Sequence, residues 1–294
     1  HLRKKILEQG GDPQRETLTL IPTRDGKLLY EDSEGRFWRS YHFIENATCH
    51  QSVDRPVLFT NAAKAFGHFQ KLLADYPADT LHETIAGFHN TVDRYALFEK
   101  AVAEDKAGRA ALVEKEIQFF LDRKADGTVV VDAIAKGQLL SRVTHNDTKL
   151  NNIMMDNETD EGICVIDLDT VMPGSVLYDF GDSIRFGAST ADEDEQDLSL
   201  VSMDLELFEA YTAGFLSEAG SSLTAEEIRL LPFSAKLLTL ECGMRFLTDY
   251  LNGDTYFRIH REHHNLDRCR TQMKLVADME HKMEDMHKIV EKYV

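Results

Sequence analysis

A chain of 294 residues, 43% of them hydrophobic, can bury a substantial core in one large or two modest domains, which excludes a disordered polypeptide. Its formal net charge of −18 argues against a nucleic-acid partner, because phosphate-backbone binding needs clustered Lys and Arg. No apolar run approaches the roughly 20 residues that span a bilayer, and no basic-then-apolar leader opens the chain, so no membrane partner is expected. Cys49, Cys164, Cys242 and Cys269 are scattered, without a Cys-x-x-Cys pair, and fit a reducing, cytoplasmic setting.

Residues 1–9 read as the last turns of a helix that stops at Gly10-Gly11, with Pro13 as a further breaker. From Thr17 to Ala47, apolar residues are set among the turn pairs Asp25-Gly26 and Glu34-Gly35, which predicts a small antiparallel sheet. Beyond Ala47 the pattern is helical almost throughout. Residues 61–75 place Ala63, Phe66, Phe69 and Leu73 on one face, and further long helices are expected at roughly 193–218, 225–251 and 265–292. The acidic run 192–195 reads as the solvated start of the first of these. In the last, Met273, Val276, Met279, Met283, Met286 and Val290 form a stripe that predicts core packing. The helical run breaks at 143–169, where two short apolar segments flank the polar turn 156–162, a hairpin embedded among helices. The class is α+β.

That hairpin carries the chemistry. His145-Asn146-Asp147-Thr148-Lys149-Leu150-Asn151-Asn152 follows the spacing His-x-Asp-x-x-x-x-Asn, and an apolar strand then ends at Asp167. Phosphoryl transfer needs one carboxylate beside the acceptor hydroxyl, and an amide and a second carboxylate to hold Mg²⁺ on the nucleotide phosphates. Those residues would be Asp147 as base and Asn152 and Asp167 as metal ligands, all with the oxygen atoms that Mg²⁺ favours. His145 is read as a brace, and Lys149 as reaching the phosphoryl group or the acceptor. Asp179-Phe180-Gly181 spells a protein-kinase triplet, but it follows a Pro173-Gly174 turn and lies 32 residues beyond Asp147, whereas the 20 residues to Asp167 fit a hairpin return. Asp179 is therefore expected to cap or brace the loop. His260, His263 and His264 lack a completing ligand spacing, and no metal is expected there.

These motifs resemble the aminoglycoside phosphotransferase and choline kinase superfamily. With Arg245-Phe246-Leu247-Thr248-Asp249-Tyr250-Leu251 and His264-Asn265-Leu266-Asp267-Arg268 added, the chain is similar to the N-acetylhexosamine 1-kinase branch over about residues 1–290. The resemblance implies a bilobal, protein-kinase-like fold, with residues 1–46 as the remainder of a nucleotide-binding lobe and hinge and 47–294 as a helical acceptor lobe. It implies ATP and Mg²⁺, and a small neutral amino sugar held by Asp147, Lys149, Arg245 and Tyr256. Adenine would meet main-chain groups near His42 and Ile44. Arg245 would repel a cationic acceptor; taken alone, it could equally brace a helix through an ion pair, and Tyr256 alone would be packing.

The family's first strands, with the loop that covers the nucleotide, have no counterpart before His1. The small-sheet lobe is therefore expected to be incomplete, and the 294 residues alone to phosphorylate poorly or not at all. Two other readings stay open: a kinase of an amino alcohol, an aminoglycoside or another small hydroxyl compound, and a non-catalytic binding protein of the same fold. No feature of the sequence bears on oligomeric state.

Overall fold

Helix α1 (Leu2–Glu8) ends at Gly10, whose φ of +81° is a left-handed conformation that glycine adopts at little cost. The computed structural model describes residues 1–53 and 55–294. Four two-residue strands follow: β1 (Leu20–Ile21), β2 (Tyr30–Glu31), β3 (Phe37–Trp38) and β4 (Ser40–Tyr41). They form two nested antiparallel ribbons, β1 with β4 and β2 with β3, and not the single small sheet expected from the pattern. The cause is local. Residues 23–27 close a turn of their own through Thr23 N–H to Lys27 O, and only Arg39 separates β3 from β4.

β5 (Ala47–Thr48) then joins the hairpin of residues 153–165, pairing with β7 (Ile153–Asp156), which pairs with β8 (Gly162–Val165). β6 (Arg142–Thr144) pairs with β9 (Met172–Gly174), so the expected Pro173-Gly174 turn is a strand.

The helical body comprises α2 (Pro56–Leu72), α3 (Thr91–Glu104), α4 (Glu114–Leu121), α5 (Asp126–Ala135), α6 (Val176–Gly187), α7 (Leu205–Ala219), α8 (Ala225–Asn252) and α9 (His264–Glu291). α2 starts five residues earlier than the predicted 61–75 and stops at Leu72. Pro56 occupies its first turn, where a missing N–H costs nothing. α8 opens on a reciprocal capping box between Thr224 and Glu227. The buried Glu227 carboxylate also accepts Arg142 Nε and Nη2 at 2.7 and 2.8 Å, which ties β6 to the start of α8.

The predicted helix 193–218 is corrected: α7 begins only at Leu205, after Asp204 caps the N–H groups of Glu206 and Leu207. The acidic run 192–195 is not a solvated helix start. Glu193 binds Arg185 at 2.7 Å, and Asp194 binds Arg261 and His264 at 2.8 and 2.9 Å.

Three apolar clusters make the core. One, with Phe59, Phe180, Phe208, Tyr211 and Phe215, lies among α2, α6 and α7; a second gathers Phe98, Phe120, Met244 and Leu247 from α3, α4 and α8. The third, with Phe66, Phe69, Val143, Ile153 and Met155, lies beneath the hairpin. The α9 stripe is core: Val276, Met279, Met286 and Val290 are buried, with Met273 and Met283 half-buried at its edge. Among the described residues, no helix is long and apolar enough to cross a membrane. The architecture is α+β, a mainly helical body with small antiparallel sheets on which the hairpin is held.

Candidate active site

The loop between β6 and β7 is clamped from α6. Asp179 is buried, and its carboxylate accepts the main-chain N–H of Asn146 at 2.7 Å, that of His145 at 2.9 Å and the Gln70 amide at 2.6 Å. Burial pushes this carboxyl up, and His145 and the donors oppose that rise. Thr148 Oγ1 donates to the Asp179 carbonyl, and Ser183 Oγ to the Thr148 carbonyl, so the loop is fixed on both sides of Asp147. His145 lies edge-on to Phe66 and Phe69 and is fully buried. Its Nε2 donates to the Ile166 carbonyl at 2.8 Å, which leaves Nδ1 to accept the Asp147 N–H at 3.3 Å.

Asp147 is held at both oxygens. Lys149 Nζ is 2.7 Å from Oδ1, and Asn152 Nδ2 donates to Oδ2 at 3.0 Å and to the Asp147 main-chain carbonyl at 2.8 Å. Burial pulls the Lys149 ammonium down, but Asp147 outweighs it and holds the pKa above the ordinary lysine value. Asn152 Oδ1 accepts nothing from the described residues. Ile166 connects this loop to the next carboxylate, since its N–H donates to Asn152 O at 2.9 Å and its carbonyl receives His145. Asp167 then stands in the left-handed region, at φ +58° and ψ +57°, exposed, and its side chain makes no hydrogen bond or ion pair among the described residues, although the Arg39 charge senses it. A strained, unpaired carboxylate is a feature of sites that bind something.

Asp147, Lys149, Arg245 and Tyr256 all line one cavity of about 520 Å³. Arg245 lies against the rings of Phe88 and Phe257, at 5.2 and 5.6 Å, and has no ion pair or hydrogen bond among the described residues. Glu241, four residues before it on α8, senses its charge without a direct ion pair. Tyr256 is 70% exposed, which removes the packing explanation for it. Just after β4, His42 donates its main-chain N–H to Thr19 at 2.9 Å, while Ile44 is buried with its main-chain N–H unengaged among the described residues.

Two further groups escaped sequence reasoning. Asp249, near the end of α8, accepts the N–H groups of Thr255, Tyr256 and Phe257 at 2.9 Å each and so shapes the loop that carries Tyr256. His89, in an irregular segment before α3, pairs with buried Glu241 at 2.8 Å and contacts the Asn146 carbonyl at 3.3 Å. An acidic residue just before the helix-ending Asn252-Gly253 pair was the available signal for the first; nothing local marked the second.

A model of the phosphotransferase enzyme family matches residues 24–214. The chain belongs to the phosphotransferase enzyme family. Solved structures agree in fold. An aminoglycoside phosphotransferase from Alicyclobacillus acidocaldarius superposes with a TM-score of 0.66 at 11% identity, covering 99% of this chain and 82% of that one. A microcompartment-associated aminopropanol kinase gives 0.55 at 17%, covering 96% and 79%, and a choline kinase from Cryptosporidium parvum gives 0.54 at 12%, covering 93% and 75%. This phosphotransferase thus has the kinase-like fold. The family match spans the loop 145–152 and Asp167 but stops before Arg245 and Tyr256, so membership bears on the phosphoryl-transfer loop and not on the acceptor.

Proposed function

We propose that this phosphotransferase moves the terminal phosphoryl group of ATP to the anomeric hydroxyl of an N-acetylhexosamine. Adenine would meet main-chain groups at His42 to Ile44, with residues 1–46 belonging to the nucleotide lobe and 47–294 to the acceptor lobe. The free amide oxygen of Asn152, beside Asp147, and the Asp167 carboxylate are hard oxygen donors, and they fit Mg²⁺. Asn152 and Asp167 would hold the Mg²⁺, which would supply neutralisation of the phosphate charge during transfer.

Asp147 acts as base. Lys149 and Asn152 each hold one of its oxygens, which sets the carboxylate toward the cavity. It accepts the hydroxyl proton as the new O–P bond forms and ADP leaves. His145 and Asp179 hold the loop so that this geometry is present before substrate arrives. Lys149 is also placed to face the phosphoryl group in transfer.

The observation that carries the acceptor reading is Arg245, which makes no ion pair or hydrogen bond among the described residues and lines the same cavity as Asp147. It suits an acetamido oxygen or a hydroxyl, with Tyr256 covering the sugar face, and it disfavours the cationic acceptors named for the solved aminoglycoside and choline kinases. The anomeric position rests on the resemblance of the three sequence motifs.

The test incubates the full-length protein with ATP, Mg²⁺ and, separately, N-acetylglucosamine, N-acetylgalactosamine, glucosamine, choline and kanamycin, with products identified by phosphorus NMR. An anomeric phosphate from the acetamido sugars is expected. Phosphocholine or a phosphorylated aminoglycoside would replace this reading with the amino-alcohol or antibiotic one, and absence of Mg²⁺-dependent ATP binding would favour a non-catalytic protein.

A further inference from the structure

Arg245 has a second arginine for a neighbour. The guanidinium of Arg94, from α3, lies 5.9 Å from the centroid of the Phe88 ring, and that of Arg245, from α8, lies 5.2 Å from it. Both are half-buried, and neither has a carboxylate partner among the described residues. Arg94 donates Nε and Nη2 to the Phe88 carbonyl at 3.1 and 2.7 Å, leaving Nη1 unengaged. Burial and the adjacent Arg245 charge both pull the Arg94 pKa below the ordinary value, a sign that the two cations sense each other.

They meet at a cavity of about 280 Å³, which shares Arg245, Tyr256 and Phe257 with the larger cavity at Asp147. Its acidic walls are already committed. Glu104 pairs with Lys106 at 3.2 Å and Lys100 at 3.8 Å, and Asp249 is saturated by the N–H groups of residues 255–257 and by Asn265. Glu241, which lies close to both arginines, is engaged by His89 and Thr91. Glu241 is one carboxylate beside two partly desolvated guanidinium groups, which leaves a positive excess, and their planar forks match a carboxylate or phosphate.

We infer that the space between Arg94 and Arg245 is an anion subsite, which takes a carboxylate or phosphate carried by the acceptor away from its reacting hydroxyl. This rests on the reading that the acceptor occupies the cavity at Asp147. The preferred substrates are then acetamido sugars with an acidic substituent, and the smaller cavity is where that substituent lies.

Two measurements test it. In nucleotide-free protein titrated calorimetrically with inorganic phosphate, Arg94→Gln should weaken binding about tenfold or more, the worth of one charge-assisted hydrogen bond, while Arg94→Lys keeps most of the affinity. Equal phosphate affinity in wild type and Arg94→Gln would overturn the subsite. N-acetylglucosamine and its 3-O-lactyl acid are then compared as acceptors: the acid-to-neutral ratio of kcat/KM should drop about tenfold in Arg94→Gln and recover in Arg94→Lys. An unchanged ratio would overturn an acceptor-borne anion. The lysine variant removes the fork to the Phe88 carbonyl but keeps the charge, so a merely structural arginine would fail in both variants alike, which also counts against the subsite. If neither sugar reacts, the amino-sugar reading fails, and the phosphate titration still decides the subsite.

Discussion

Asn265 of α9 donates its side-chain amide to the Asp249 carboxylate of α8 at 2.9 Å, and through that bond the two later sequence motifs become one structural unit. The same carboxylate gathers three consecutive main-chain N–H groups, including that of Tyr256. The loop that carries Tyr256 into the cavity at Asp147 is therefore shaped by a buried charge and not by its own side chains.

Asp249→Ala leaves these donors without an acceptor. Each stranded donor costs about 1–3 kcal/mol, so urea unfolding should show a loss of at least about 3 kcal/mol. In protein that remains folded, the acceptor KM should rise more than the ATP KM. Equal changes in both would mean that the loop does not report to the acceptor side.

Gly181 illustrates a residue whose sequence context suggests one chemistry and whose position shows another reason. A Cβ there would come within 2.4 Å of the Ser234 carbonyl oxygen, because α6 and α8 pack backbone to backbone at that point. Gly181→Ala should destabilise by about 1–3 kcal/mol as an overpacked site, read as a lowered Tm. Gly220→Ala, with no atom nearer than 3.8 Å to the new Cβ, is the control and should stay within about 0.5 kcal/mol of wild type.

The loop from His145 to Asn152 was legible because Asp147 and Asn152 share one short turn, and spacing alone then fixes their proximity. α8 and α9 were legible too, within a residue at each end, since a Thr224-to-Glu227 capping pattern and the Asn252-Gly253 stop are local signals. Where tertiary partners decide, the reading failed. Glu193 and Asp194 look like a solvated helix start, yet they answer to Arg185, Arg261 and His264, which are distant or ambiguous in sequence. The two ribbons of residues 20–41 were mistaken for one sheet because alternation reports strand character and not which strands pair. Arg94 carried no motif, and only its approach to Arg245 across Phe88 makes it notable.

Acid should act through Asp182. Burial pushes that carboxyl up, but Arg185, 2.9 Å away, outweighs it and leaves the pKa below the ordinary value. A carboxyl with a lowered folded-state pKa contributes its stability above the unfolded pKa, about 3.9, and loses it as pH falls through the folded value. Urea midpoints of wild type and Asp182→Asn should therefore differ at pH 7 and converge below about pH 4. Curves that stay parallel down to pH 3 would show that the pair does not titrate in this way.

The most direct test of the account is Asp147→Asn. The amide keeps the shape of the side chain but removes the proposed proton acceptor and the Lys149 ion pair, while the proposed nucleotide contacts lie elsewhere. Turnover of the acceptor should fall by about 10²–10⁴, with the Kd for Mg²⁺-ATP changed by less than about threefold. Retained turnover, or a loss of nucleotide affinity as large as the loss of turnover, would contradict Asp147 as the base.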